Sequence, residues 1–152
     1  MACLAIAATA FLLRHTGQLV LSNDDTGEVY AAYPLKPGEE FSITFIHSVN
    51  KTPVTDCYDV DKNGDIYLRR TVYYDFGAGV PFDIEGDEEL TYAEDGAMVI
   101  SGIDRLIPSF VIFVGTVSDH TLKYGGEEIS LRDLCGRNAK VHIAYEPPGF
   151  YL

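Results

Sequence analysis

Two dipeptides, His47-Ser48 and Asp119-His120, hold the residue types that hydrolases use as nucleophile, general base and orienting acid. His47 and Ser48 are neighbours on a predicted strand, so their side chains point to opposite faces and cannot form a nucleophile–base pair. No Gly-x-Ser-x-Gly elbow is present. His47 continues the apolar stripe Phe41, Ile43, Phe45, which predicts a core or rim histidine held by a hydrogen bond. Asp119 is expected to shape a turn, with His120 opening the next strand. Convergence of His47 and His120 with Asp56 or Asp119 would build a metal or acid–base cluster, but no local spacing favours it.

A second pattern is Asp59-Val60-Asp61-Lys62-Asn63-Gly64-Asp65-Ile66, which matches the opening of an EF-hand calcium loop. Clustered oxygens suit Ca²⁺, and the glycine permits the sharp turn. The position that needs a bidentate glutamate holds Arg70, however, and the flanks read as strands. Asp59, Asp61, Asn63 and Asp65 are therefore read as a hairpin turn with acidic shoulders, and no metal site is assigned. Gly77-Ala78-Gly79-Val80-Pro81 is too short for a dinucleotide fingerprint. Pro81 removes a donor from any amide cradle. A tight bend is expected there, with Gly77 and Gly79 allowing close approach of a partner.

These residues must be positioned by strands. Tyr, Phe, Val, Ile and Thr are abundant, and Trp is absent. Strands are predicted at 18–22 and 28–33 around the turn Asn23-Asp24-Asp25-Thr26-Gly27. The clearest is 41–49, with strict alternation. Residues 56–60 and 66–74 flank the Asn63-Gly64 turn. Ile66, Leu68, Val72 and Tyr74 are expected on the inner face of the long strand, with Arg70 interrupting it. Another hairpin is predicted from 89–93 and 97–101. The apolar run 110–114 suggests a strand buried on both sides or central in a sheet. Residues 120–124 and 127–130 pair across Gly125-Gly126, 130–134 form one helical turn, and 140–145 is the last strand. Strands at this spacing predict an all-β chain: an antiparallel β-sandwich or barrel-like single domain with at most one short helical turn.

The chain has 152 residues and a net charge of −12, which fits one core and argues against nucleic acid as a partner. No cofactor is implied. Of three cysteines, Cys3, Cys57 and Cys135, the last two could pair in an oxidising compartment, and their spacing does not suit zinc. Residues 2–13 are almost wholly apolar, too few for the about 20 that span a bilayer. Residues 1–14 are read as a clipped export or anchor segment, 15–146 as the single β domain, and 147–152 as a C-terminal tail.

Two runs, Phe45-Ile46-His47-Ser48-Val49-Asn50-Lys51-Thr52-Pro53-Val54 and Asp75-Phe76-Gly77-Ala78-Gly79-Val80-Pro81, resemble the core motifs of a bacterial domain family of unknown function. That family is encoded beside TAXI-type TRAP transporters, which import small organic anions. The resemblance covers about residues 18–145, and Asp56 takes the place of an acidic residue that follows the Thr-Pro-Val run. It implies an extracytoplasmic domain, secreted or membrane-tethered through its N-terminal segment. It also implies an accessory role with the transporter membrane subunit or its solute-binding protein, and it transfers no catalytic residue. The expectation is a non-enzymatic binding module using His47, Ser48, Asn50, Thr52, Asp56, Gly77, Gly79, Pro81, Asp119 and His120. A small-ligand or Ca²⁺-binding domain is the alternative, and a hydrolase ranks last.

Overall fold

The computed structural model describes residues 16–75, 84–108 and 110–149. They form two antiparallel sheets that share one core, as the period-two pattern predicts. The smaller sheet runs β2 (Val29–Pro34), β1 (Gln18–Asn23), β12 (Lys140–Glu146), β9 (Phe110–Phe113). The larger runs β11 (Glu127–Ser130), β10 (His120–Tyr124), β3 (Phe41–Ile46), β4 (Pro53–Val60), β5 (Ile66–Tyr73), β7 (Met98–Ser101), β6 (Glu89–Tyr92), with β8 (Arg105–Leu106) added to β5. The chain is thus an all-β sandwich with one short helix, α1 (Leu131–Cys135), among the described residues.

The sheets meet through side chains that alternate inward along each strand. Leu19 and Leu21 of β1 and Val141 and Ile143 of β12 supply one side of the core, and Phe41, Ile43, Tyr58 and Leu122 supply the other. Phe110 of β9 crosses the gap, with its ring 4.6 Å from Tyr58 and 6.4 Å from Phe41. Turn chemistry sets the hairpins. Asn23 Oδ1 accepts from the Asp25 and Thr26 amides, each at 2.9 Å, and Gly27 takes the positive φ that closes the β1–β2 turn.

The structure corrects three expectations. The strand predicted to reach Val49 ends at Ile46, because His47–Asn50 turn back toward β4. The run at 110–114 is neither central nor buried on both sides. β9 is an edge strand, and Phe113 points outward with 65% of its surface exposed. The inner face of β5 also differs from the predicted one. Cys57 faces Arg70 while Tyr58 faces Leu68, so Arg69 is an extra residue in β5. This bulge reverses the alternation, turning Thr71 and Tyr73 inward and Val72 and Tyr74 outward.

Candidate functional site

Most of the described candidate residues lie at one end of the larger sheet, where β3 ends and β10 begins. His120 stands opposite Phe45 in the β10–β3 ladder, and their rings stack at 5.8 Å.

At this end the β3–β4 turn is organised by His47. Its amide donates to the Thr52 carbonyl at 2.9 Å, and its carbonyl accepts from the Lys51 amide at 3.0 Å. Its Nδ1 accepts from the amides of Val49 (3.3 Å) and Asn50 (3.2 Å). An Nδ1 that accepts leaves the proton of the neutral ring on Nε2. His47 is thus a half-buried histidine held by hydrogen bonds, but in a turn and not on the strand expected to reach Val49, and Ser48 beside it is exposed.

Asn50 links this turn to the second motif. Its Nδ2 donates to the Asp75 carbonyl at 3.4 Å, just before the run that contains Gly77, Gly79 and Pro81. Those three lie outside the described residues. Thr52 is half-buried at the start of β4.

Asp56 lies deeper. It faces the core on β4, opposite Ile43 on one side and Thr71 on the other. Thr71 Oγ1 donates to its Oδ1 at 2.8 Å, and the Tyr58 hydroxyl is 3.5 Å from Oδ2. Burial raises its pKa, opposed by those two hydrogen bonds and by the charge of Arg105.

Asp119 and His120 form a separate latch. Asp119 Oδ1 accepts from the His120 amide (2.7 Å) and the Arg132 amide (2.9 Å). Its Oδ2 accepts from Ser130 Oγ. Ser130 in turn accepts from the Asp133 amide at 3.0 Å and so caps α1. Burial pushes the Asp119 carboxyl up, but these donors and the Arg132 charge outweigh it and hold it below its ordinary value. His120 Nδ1 accepts from the Gly115 amide at 3.3 Å. Burial lowers its pKa, with Asp119 opposing and Arg132 adding to the effect. Sequence reasoning does not single out Ser130 and Arg132, although Ser130-Leu131-Arg132-Asp133 has capping spacing.

The residues do not converge into one cluster. Asp56 and His120 are separated by two strand spacings and two residues along the strands, roughly 12 Å. Among the described residues, no three His, Cys, Asp or Glu side chains come within reach of one metal ion. The β4–β5 connection is a hairpin turn with acidic shoulders, closed by its own side chains. Asp61 Oδ1 accepts from the Asn63 (2.8 Å) and Asp65 (2.9 Å) amides, while Asn63 Nδ2 bonds its Oδ2 at 3.0 Å. Asp59 is paired with Arg69 at 2.8 Å. The adjoining cleft of about 510 Å³ runs from Pro37 and Gly38 to Asp59–Asn63. Cys57 and Cys135 are both unpaired thiols. Cys57 is buried on the outward-facing side of β4, with Arg70 Nη2 at 3.4 Å.

No curated protein and no solved structure matches the chain. The family described as "Domain of unknown function (DUF1850)" matches residues 41–131. That span contains every strand of the larger sheet together with β9, and leaves out β1, β2 and β12. The chain belongs to this family.

Proposed function

Given membership of this family, we propose that the chain is a non-enzymatic binding module whose docking face is the His47 end of the larger sheet. The observation that carries this reading is the Asn50–Asp75 hydrogen bond. It ties the first sequence motif to Asp75, on a turn whose side chains are partly open to solvent. The polar groups nearby support binding over catalysis. Asp119 and Ser130 serve as a helix cap, and the Nδ1 atoms of His47 and His120 are occupied by backbone amides. The resemblance to proteins encoded beside TAXI-type TRAP transporters makes the membrane subunit or its solute-binding protein the proposed partner, on the extracytoplasmic side.

The test is capture of either transporter protein by the tagged chain, with and without Ca²⁺. His47→Ala, Asn50→Ala and Thr52→Ala variants that remain folded should capture less. Undiminished capture by all three would remove this face from the proposal. Capture only with Ca²⁺ would favour the ligand-binding alternative.

A further inference from the structure

The larger sheet ends in β6, which pairs with β7 alone among the described strands. The Ala93 amide donates to the Ala97 carbonyl at 2.8 Å, and the register sets Thr91 opposite Val99 and Leu90 opposite Ile100. Backbone groups of an antiparallel strand face alternate sides, residue by residue. Those of Ala93, Thr91 and Glu89 therefore face β7, and the N–H and C=O groups of Leu90 and Tyr92 face away from it. Phe110, on the near edge of the smaller sheet, packs on β3 and β4, and β5 and β7 separate β6 from them. A strand added to β6 thus extends the larger sheet away from the smaller one.

The side chains around this edge carry one sign of charge. Residues 84–101 hold six carboxylates and no lysine or arginine. Glu85, Asp87 and Glu89 lie at one end of β6, Glu94 and Asp95 at the other, all exposed. Glu88 is paired with Arg105 at 3.8 Å. Asp95 accepts from the Tyr74 hydroxyl at 2.8 Å and the Ala97 amide at 3.1 Å. Glu85, Asp87, Glu89 and Glu94 have no ion-pair partner among the described residues. Leu90 and Tyr92 share the other face of the strand, opposite Ile100 and Met98, and Tyr92 is 67% exposed.

We infer that the free edge of β6 takes an extended, basic segment of a partner protein as an added strand. Backbone donors and acceptors in line recognise an extended chain. The carboxylates at both ends of β6 repel a second copy of this acidic chain, whose own β6 brings like charges together. They complement lysine or arginine instead. Apolar side chains opposite Leu90 and Tyr92, alternating with cations on the Glu89 face, complete the match. This edge is independent of the His47 end and of a transporter partner.

The probe is a short capped peptide of alternating lysine and valine. Its control is the same peptide with N-methylated valines, which keeps every charge and side chain but loses the amides that would bond the edge. With the full chain, the control should bind at least about tenfold more weakly, and higher salt should weaken both. Bound peptide should slow amide exchange at Leu90 and Tyr92 and leave the His47 turn unchanged. Tyr92→Pro removes an edge donor while keeping the ladder to β7, and should also cost about tenfold in affinity. Glu89→Gln with Glu94→Gln should weaken binding and flatten its salt dependence. No binding, or equal binding of the control, would overturn the inference, and the control does so whether or not Tyr92→Pro folds. Unchanged exchange at Leu90 and Tyr92 would place the peptide elsewhere and overturn it too. Self-association abolished by Tyr92→Pro would assign the edge to a second copy and end the reading of a basic partner.

Discussion

Thr71 Oγ1 donates to Asp56 Oδ1 at 2.8 Å on the core-facing side of the larger sheet. The pair interrupts a cross-strand row otherwise made of Ile129, Leu122, Ile43, Ile100 and Leu90. A half-buried carboxylate there opposes folding when ionised, because desolvation outweighs the two hydroxyl donors. It is a group placed at some cost to stability, in the segment that carries the first motif.

The raised pKa gives a signed prediction. Between the unfolded value of about 3.9 and the higher folded value, the native state binds more protons than the unfolded one. The stabilising contribution is therefore fully present below the unfolded pKa and is lost as pH rises through the folded pKa. Asp56→Asn keeps the Thr71 hydrogen bond and removes the charge. Its denaturant midpoint should exceed wild type at neutral pH and lack this decline, as a urea titration across pH 4–7 would read, with the window taken roughly from the unfolded value upward.

Asp119 behaves in the opposite sense. Its folded pKa is depressed, so its contribution is present above the unfolded value of about 3.9 and lost as pH falls through the folded pKa. Asp119→Ala removes the acceptor of two amides and Ser130, and should cost roughly 1.5–3 kcal/mol at neutral pH. Ser130→Ala removes the α1 cap and should cost about 1 kcal/mol. Because the two residues share a hydrogen bond, the double variant should lose less than the sum, measurable as a double-mutant cycle.

Gly17 is required by Tyr145. A Cβ at Gly17 would overlap the Tyr145 phenol, and even the ring Cε2 would stand only 2.6 Å away. The ring also packs against Gly64 of the β4–β5 turn, so it joins the two sheets. Gly17→Ala should destabilise by about 1–3 kcal/mol through overpacking. Tyr145→Leu in the same chain should recover part of the lost melting temperature.

The acidic turn should not respond to Ca²⁺. Asp59 is engaged by Arg69 and Asp61 by its own turn, so ligation would break existing bonds. Thermal unfolding with Ca²⁺ or with chelator should give the same midpoint. A rise with Ca²⁺ that disappears in Asp61→Ala would show that the turn opens to bind the ion.

Strand alternation and turn residues are legible in the amino-acid order alone. Asn63-Gly64 and Gly125-Gly126 mark their hairpins, and the helical turn falls where Ser130 can cap it. These features depend on neighbours within a few positions, where side-chain periodicity and backbone preference act directly. Membership of a domain family of unknown function is legible too, and the family match covers residues 41–131.

What each of these residues faces is a tertiary matter. The bulge at Arg69 exists only relative to β4, so the β5 sequence cannot show that Thr71 and Tyr73 turn inward. The run at 110–113 reads as a central strand, yet β9 closes an edge because β12 pairs with β1 on its other side. Asn50 meets Asp75, and Asp119 meets Ser130, only after strands distant in sequence have paired. Local sequence settles most of the strands and the glycine-marked turns, because those are local energies. Which polar groups are buried, paired or left at the surface follows from the register between strands, and register is set by the packing of the whole sandwich.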